Sequence, residues 1–435
     1  MVDFGRSNDP AVQAQLDRLA RLSVPQGRFG LKTITALMER LGSPHRKLPP
    51  VFHVAGTNGK GSVCAFLRAM LEADGKRVHV TTSPHLVRYN ERIRIAGQLI
   101  SDAALAGLLE EVLDVSEDLG PSFFEVTIAS SFLAFSRESA DACVVEVGLG
   151  GRFDATNVLP ASVVAASGIA ALGLDHERFL LAPEEGTPKE PMARIAFEKA
   201  GIAKRGVPLV ALDQVPEATR QIILRSESVG AKMALHGYEW SNKVELIDGE
   251  NRHIYRDDDG AIDLPLPNLN GQHQIRNCGL AIAMLRHQDE IGISREAIAE
   301  GLQRANWPGR FQRLAQGPLA RTREVWIDGG HNPSAGEVMA QFWADDSIHL
   351  VIGMLANKNP EAIVTPLRPS TASVTAVPVP GHDHHPAAAF GEATGWADDL
   401  AEALDVLPKD GRPVFIAGSL YLIGEALRLN GQEPE

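Results

Sequence analysis

The segment that most constrains this chain is Val51-Phe-His-Val-Ala-Gly-Thr-Asn-Gly-Lys-Gly-Ser62. Val51–Val54 is a short apolar run that reads as a buried strand, and Ser62–Leu71 is apolar at helical spacing. Between them lies a turn holding three glycines, an asparagine and a lysine, a composition too costly to order for an ordinary connection. Strand, glycine loop and helix in that order make an anion site, because backbone N–H groups and the helix N-terminus present positive potential together. Lys60 adds a point charge where the outer phosphates of a nucleotide would lie. The spacing departs from the common phosphate loop, which has a glycine five residues before Gly59 and a hydroxyl directly after the lysine. Val54 and Gly61 occupy those places; the first glycine is Gly56 and the hydroxyl arrives one residue late, at Ser62. The reading is a site for a nucleoside triphosphate.

The remainder of the chain fits a two-domain α/β enzyme. Strand-like runs at Val51–Val54, Arg77–Thr82, Ala142–Val147, Ser162–Ala166 and Pro208–Leu212 alternate with helix-like runs at Asp102–Leu119, Phe123–Ser136, Met192–Ala203 and Pro216–Ser228. That rhythm predicts a mostly parallel sheet with helices on both faces. Val244–Ile247 and His253–Tyr255 flank a polar turn and predict an antiparallel hairpin added to the main sheet. A helix is expected from Asn270 through Arg286 and another over Arg295–Ala305. The rhythm restarts beyond residue 300 with strands at Val325–Asp328, His349–Ile352, Ser373–Val377 and Val414–Ala417 and helices at Ala397–Leu407 and Leu420–Leu429. The expected division is residues 1–300, an ATP-binding domain, and 301–435, a smaller Rossmann-like α/β domain.

A length of 435 residues exceeds one ordinary core. The net charge of -13 argues against binding to nucleic acid or to an anionic membrane surface. Cys64, Cys143 and Cys278 all fall in apolar patterns and read as buried small hydrophobes. No apolar run is long enough to span a membrane, and Met1-Val-Asp-Phe-Gly-Arg6 lacks an export pattern, which makes the cytoplasm the expected location.

Further motifs carry chemistry. In Val145-Glu-Val-Gly-Leu-Gly-Gly-Arg-Phe-Asp-Ala-Thr-Asn157 a strand again ends in glycines, and Glu146 stands near its carboxyl end, where ligands bind in doubly wound sheets. A Mg²⁺ held by phosphates needs only one or two protein oxygens, so Glu146 suffices to complete a site. His176, in Gly173-Leu-Asp-His176, and Ser83, in Thr82-Ser-Pro-His85, follow strands and are expected on the same edge. Lys199 lies in the apolar helix around Phe197-Glu-Lys-Ala-Gly-Ile202. In the second domain, Trp326-Ile-Asp-Gly-Gly-His-Asn-Pro333 places Asp328 at a strand end and His331 in a glycine turn. Arg310 is a cation at the segment between domains. Gly381-His-Asp-His-His-Pro386 reads as a solvated loop.

As an ordered set these motifs, with Phe123-Phe-Glu125, Trp307-Pro-Gly-Arg310 and Gly418-Ser-Leu-Tyr421, resemble the bacterial dihydrofolate synthase/folylpolyglutamate synthase family of the Mur ligase superfamily, from about Phe29 to Glu425. The resemblance implies an ATP- and Mg²⁺-dependent amide ligase that adds L-glutamate to dihydropteroate and to reduced folates through an acyl phosphate. It implies that Gly56, Thr57, Asn58, Gly59, Lys60, Gly61 and Ser62 hold ATP phosphates. It further implies that Ser83, Glu146 and His176 bind metal, that Lys199 is carbamylated, and that Asn277, in His273-Gln-Ile-Arg-Asn277, contacts adenine. Arg310 and Asp328 would reach the nucleotide from the second domain, with closure about Asn306–Gly309. Ser122, Phe123, Phe124, Glu125, Phe153, Asp154 and Ala155 would hold the pterin, and His331 and Ser419 the incoming glutamate. The chain departs from the family at Gly330, where alanine is usual, and in the longer, charged insert Ala182–Pro191. The family's implied state is a monomer with small-molecule partners only. The alternatives are a folylpolyglutamate synthase without the other activity, a cell-wall Mur ligase, and a nucleotide-binding scaffold. The second is disfavoured because the phosphate loop begins by residue 56, and the third by the joint presence of Lys60, Glu146, His176 and Lys199.

Overall fold

The computed structural model describes residues 5–22 and 30–434. The start of the segment read for an export signal and Phe29, where the family resemblance begins, lie outside the described residues. The chain divides into two compact units. The first takes the residues up to Pro84, then Tyr89–Asn268 and Gln272–Asn306; the second takes His85–Arg88, Leu269–Gly271 and Trp307 onward.

The first unit is built on a sheet of eight strands: β1 Val51–Ala55, β2 Val78–Thr81, β3 Ile93–Ile95, β4 Gln98–Leu99, β5 Ala142–Glu146, β6 Val164–Ile169, β7 Pro208–Ala211 and β8 Lys232–Leu235. Their spatial order is β4-β3-β2-β5-β1-β6-β7-β8. All neighbouring pairs from β2 to β8 are parallel, and the β2–β3 and β3–β4 pairs are antiparallel. β1 and β5 are buried at every position, as expected of strands covered on both faces. Cys143 and Val145 of β5 pack into one core with helices Asp102–Ser116 and Phe123–Arg137. Ala55, Val147 and Ile169 pack into a second core with Ala196, Ala200 and Ile222. The three cysteines are free and buried. Among the described residues no helix is long and apolar enough to cross a membrane.

Two expectations need correction. The polar hairpin does not extend the main sheet. Trp240–Ile247 (β9), Glu250–Asp257 (β10) and Gly260–Leu264 (β11) form a separate antiparallel sheet in the order β11-β10-β9. β11, which the sequence reading passed over, pairs along the second edge of β10 and completes this three-stranded sheet. The helix expected over Met192–Ala203 stops as an α-helix at Lys199 and tightens into a 3₁₀ turn, Ala200–Ile202. Glu198 O there accepts a hydrogen bond from Arg152 N at 2.7 Å, so its carbonyl serves a neighbouring loop.

The second unit holds six strands: β12 Gln312–Arg313, β13 Val325–Asp328, β14 Ile348–Ile352, β15 Thr371–Ala376, β16 Gly395–Trp396 and β17 Val414–Ala417. The order is β12-β13-β17-β14-β15-β16, parallel except for β12. Two apolar clusters cover its faces, one around Val325, Ile327 and Ile416, the other around Leu350, Ile352 and Phe415.

Candidate active site

β1 ends at Ala55 and the chain turns at Gly56 and Gly59, whose φ values of 158° and 83° lie on the side of the map that glycine favours. Helix Lys60–Ala73 begins at Lys60, and its N-cap Gly59 supplies no side-chain cap. The N–H groups of the first turn are therefore left for a ligand. The loop's own amides behave differently from the expectation of outward-facing donors: Thr57 N and Asn58 N both donate to Ala171 O, at 2.8 and 3.1 Å. Thr57 Oγ1 donates to Gly173 O at 3.0 Å and accepts from Gly173 N at 3.1 Å. These bonds stitch the phosphate loop to the segment that carries Asp175 and His176.

Register brings the next groups to the same rim. Val54 of β1 pairs with Glu146 of β5, and Ala55 with Ile169 of β6, so the carboxyl ends of the central strands coincide. Glu146 is buried, and its Oε2 accepts from Ser83 N at 3.0 Å. Burial pushes the Cys64 thiol up; the Glu146 carboxylate adds to that effect and Lys60 opposes it. Both charges thus act on the same thiol, in the phosphate-loop helix. Lys199, also buried, donates from Nζ to Gly56 O at 2.9 Å. Burial, reinforced by the charge of Lys60, lowers its pKa to about 7, against the pull of Asp175, Asp154 and Glu198. The insert Ala182–Pro191 has not displaced this lysine from the loop. His176 adopts a left-handed backbone (φ 51°), and its N–H donates to Asp175 Oδ1 at 2.7 Å.

The second glycine loop is internally bonded. Asp154 is buried; one oxygen accepts from Leu149 N at 2.8 Å and the other from Thr156 N at 3.0 Å and from the Thr156 hydroxyl. Burial raises its pKa while these bonds act against the shift. Glu125 and Ser122 form a capping box at the start of helix Phe123–Arg137, and Glu125 Oε2 accepts from Ser122 N and Oγ, both at 2.8 Å. Both expected pterin-binding acids therefore already hold their own loops in place. The Phe124 ring lies against Gly148, and Phe123 meets Tyr89 edge-on at 5.9 Å. Arg152 lies over Phe153 at 4.1 Å and over Phe197 at 5.0 Å. Ala155 is buried among the helices of the first core.

In the second unit, Asp328 of β13 pairs with Ala417 of β17, so the loops bearing His331 and Ser419 leave one rim. Asp328 is buried, with Oδ2 accepting from Phe311 N at 3.0 Å and Oδ1 from Gly330 N at 2.7 Å. A methyl group at Gly329 would stand 2.9 Å from Arg310 Nη1, which places that guanidinium across the glycine turn. His331 Nδ1 lies 3.1 Å from Gly329 O. Ser419 caps helix Leu420–Leu429 by accepting from Tyr421 N at 3.2 Å. In the histidine loop, His384 Nδ1 lies 3.0 Å from His382 O and His385 Nε2 lies 2.7 Å from Lys358 O. Among the described residues no group of three or more His, Cys, Asp or Glu side chains could hold a metal ion by itself. A cation on the first rim would thus rest on Glu146 and neighbouring oxygens together with phosphate and water, a donor set that suits Mg²⁺.

This arrangement can be set beside known proteins. The folylpolyglutamate synthase of Lacticaseibacillus casei is 34% identical over 90% of this chain and 92% of its own length. The dihydrofolate synthase/folylpolyglutamate synthase of Bacillus subtilis is 32% identical over 91% of this chain and 94% of its own. The chain belongs to the dihydrofolate synthase/folylpolyglutamate synthase family. No family model matches it. Among solved structures, the Mycobacterium tuberculosis folylpolyglutamate synthase, complexed with ADP and AMPPCP, superposes with a TM-score of 0.85 at 29% identity, covering 98% of this chain and 99% of that one. The E. coli FolC structure in complex with DHPP and ADP gives 0.84 at 29% identity, covering 97% of each chain. The fold is that of this family, an α/β Mur ligase architecture.

Within this family member the structure also draws in residues to which the sequence reading gave no role. Asp175 acts on Lys199 and bonds His176 N; it lay inside a quoted motif whose histidine drew the attention. Glu184, from the insert, joins Arg152 (3.1 Å from Nη1) and Arg194 (3.1 Å), while Glu198 bonds Arg152 Nε at 3.0 Å and Arg194 at 2.9 Å. Only the Arg194–Glu198 pair, four residues apart on one helix, has a spacing that the sequence marks; the contacts of Arg152 and Glu184 have none. The network pins the Arg152–Asp154 loop to the helix that presents Lys199, and close backbone approach makes that possible. A Cβ at Gly201 would stand 2.5 Å from Arg152 Cα and 2.8 Å from its N. Gly201→Ala is expected to destabilise the protein by about 2–4 kcal/mol, since backbone must move. Gly107→Ala, in helix Asp102–Ser116 with nothing within 4 Å, should be neutral or stabilising. Urea unfolding midpoints of the two variants check this.

Proposed function

We propose that the chain is an ATP-dependent ligase that joins L-glutamate to dihydropteroate and to reduced folates already carrying glutamate. One observation carries the reading. The phosphate loop, Glu146, Asp175–His176 and Lys199 converge on the carboxyl rim of one sheet, tied by the Lys199–Gly56, Ser83–Glu146 and Thr57–Gly173 bonds.

The chemistry follows from the parts. A carboxylate is a poor electrophile, so the γ-phosphoryl of ATP is first transferred to it. The glutamate amine attacks the resulting acyl phosphate, and phosphate leaves from a tetrahedral intermediate. The protein contributes position and charge. The helix N-terminus at Lys60 and the residues Gly56 to Ser62 receive phosphate oxygens, and the Lys60 ammonium neutralises charge that develops on the transferred group. Mg²⁺, when bound, neutralises phosphate charge and aligns its oxygens; Ser83, Glu146 and His176 would hold it. Lys199, with a lowered pKa, presents a nucleophilic amine suited to carbamylation, which would turn it into an anion on the metal side of the loop. Asn277 would meet the adenine. Arg310 and Asp328 would contribute to the nucleotide, and His331 and Ser419 to glutamate, from residues 301–435. Residues Ser122–Glu125 and Phe153–Ala155 would form the pterin pocket, with Phe123, Phe124 and Phe153 as its aromatic walls. The working form is a cytoplasmic monomer.

Mass analysis of products tests this, with dihydropteroate and tetrahydrofolate offered separately alongside ATP, Mg²⁺ and L-glutamate. Glutamate addition to both is expected. Addition to tetrahydrofolate alone would restrict the enzyme to chain extension. ATP hydrolysis that neither folate substrate stimulates would overturn the reading.

A further inference from the structure

His53 has no place in the roles above, yet it lies in β1, three residues before Gly56, and is fully buried. Its backbone pairs with Val145 of β5 and Ser167 of β6. Burial, reinforced by the charge of Lys204, lowers its pKa to about 3, so the ring is neutral at any working pH. Its Nε2 lies 2.8 Å from Thr156 Oγ1, while its buried Nδ1 has no hydrogen-bond partner among the described residues. An apolar side chain would fill the same space without stranding a ring nitrogen, which costs stability. What a histidine adds at this place is the single bond to Thr156.

That bond has a fixed direction. Thr156 is itself fully buried, and its hydroxyl has one proton to give. Asp154 takes it: Oδ1 accepts from the Thr156 hydroxyl at 2.5 Å and from Thr156 N at 3.0 Å, while Oδ2 accepts from Leu149 N at 2.8 Å. Thr156 Oγ1 is therefore left as an acceptor toward His53, whose ring must carry its proton on Nε2. The chain runs one way, from ring N–H to hydroxyl to carboxylate, out of the sheet and into the second glycine loop. Asn157 anchors the same loop again: its Nδ2 donates to Arg152 O at 3.0 Å and to Gly201 O at 3.2 Å, and its Oδ1 accepts from Lys204 Nζ at 2.8 Å. Phe153 and Ala155 flank Asp154, the acid on which the chain from His53 ends.

We propose that His53 is a positioning residue for the second glycine loop: as a neutral Nε2–H donor beneath Thr156 it holds Asp154 in one arrangement and so sets Phe153 and Ala155 for the folate substrate. This rests on the reading above in which Phe153–Ala155 form part of the pterin pocket. The test measures KM for dihydropteroate and for ATP, with kcat, in the full-length protein and in His53→Met, His53→Gln, Thr156→Val, Thr156→Ser and Phe153→Ala. His53→Met and Thr156→Val, which break the chain at its two links, are expected to raise KM for dihydropteroate about tenfold while KM for ATP stays within about threefold. His53→Gln keeps an N–H donor and Thr156→Ser keeps the hydroxyl, so both should hold KM for dihydropteroate within about threefold of the parent. Nitrogen NMR of the His53 ring in the parent should show Nε2 protonated and unchanged from about pH 5 to 9. A ring protonated on Nδ1, an equal rise in both KM values in His53→Met, or the same rise for dihydropteroate in His53→Gln would overturn the proposal. Where His53→Met does not fold, the Gln variant, the two Thr156 variants and the ring spectrum carry the test. Phe153→Ala separates the two levels. An unchanged KM for dihydropteroate there removes the pocket reading itself, whereas a raised one there with parent values in His53→Met and Thr156→Val removes only the role of His53.

Discussion

Lys60→Ala will lower ATP-dependent glutamate ligation by about a thousandfold or more, the loss usual when a fixed donor to developing charge is removed from a phosphoryl-transfer site. The folded protein has little other use for this side chain. Among the described residues its Nζ donates to Thr57 O, at 3.4 Å, a contact too long to contribute much stability. Its remaining influence is electrostatic, opposing Glu146 at the Cys64 thiol and disfavouring the charged form of Lys199. Removing one cation from a pair of close cations relieves repulsion, so the variant should melt no lower than the parent and should shift the Lys199 amine upward. Product formation and thermal unfolding measured on the same sample make the check. A variant that keeps a tenth of the activity would show that phosphoryl transfer does not run through this loop. A variant that loses activity only by unfolding would leave the catalytic role without support.

The sequence disclosed most of this rim, for physical reasons that also mark the limit. β1 and β5 are buried on both faces, so their apolar runs stop abruptly where glycines begin, and the stop marks the sheet edge where ligands bind. Glu146 stood out because it lies at the carboxyl end of a strand that runs into glycines; Lys199, by its own residues an ordinary lysine on an apolar helix, was marked only by the family resemblance. What stayed hidden depends on partners distant in the chain. Gln274 bonds Ser62 across 212 residues, and Glu184 meets Arg152 across 32; neither pairing leaves a local pattern. Short elements were lost for a different reason. Gly260–Leu264 follows the turn Asp257-Asp-Asp-Gly260 and carries just two buried apolar residues, Ile262 and Leu264. Helix Pro333–Phe342 opens with Pro-Ser-Ala-Gly, and Asn332 caps it. The proline at its first position is a start signal that the glycine turn before it obscured. The engagement of Asp154 and Glu125 with their own loops was likewise beyond reach, since an acid that caps and an acid that binds ligand look alike as letters.

Lys199→Met should separate stability from catalysis in a way that few substitutions can. The folded protein holds this amine at a pKa of about 7 against the ordinary 10.5. Below about pH 7 the lysine is charged in both the folded and unfolded chains, and the native state bears the full cost of burying it. From there to about pH 10.5 the unfolded chain binds a proton that the native one does not, so stability rises with pH through this window. At roughly 1.4 kcal/mol per unit, the shift corresponds to a cost on the order of 3–5 kcal/mol at the acid end. The Lys199–Gly56 bond offsets part of that cost, because its loss leaves a carbonyl without that donor, at about 1–3 kcal/mol. Methionine fills similar volume without charge. The unliganded variant is therefore expected to be more stable than the parent by about 1–3 kcal/mol at pH 6. That advantage should shrink above pH 7 by about 1.4 kcal/mol per unit, vanish at about pH 8–9 and reverse by about pH 10, where only the loss of the Lys199–Gly56 bond is left. Ligation should meanwhile fall by about a hundredfold or more, as it does when a charged group that organises a transition state is lost. Denaturant unfolding at several pH values, run beside a turnover assay with and without added bicarbonate, reads both effects. If the amine is carbamylated in the working enzyme, bicarbonate will stimulate the parent and leave the variant unmoved. A variant less stable than the parent at pH 6 would mean that Lys199 is held charged by partners stronger than the burial that opposes it, and such an ammonium could neither accept carbon dioxide nor sit beside a metal-bound phosphate loop as a masked anion.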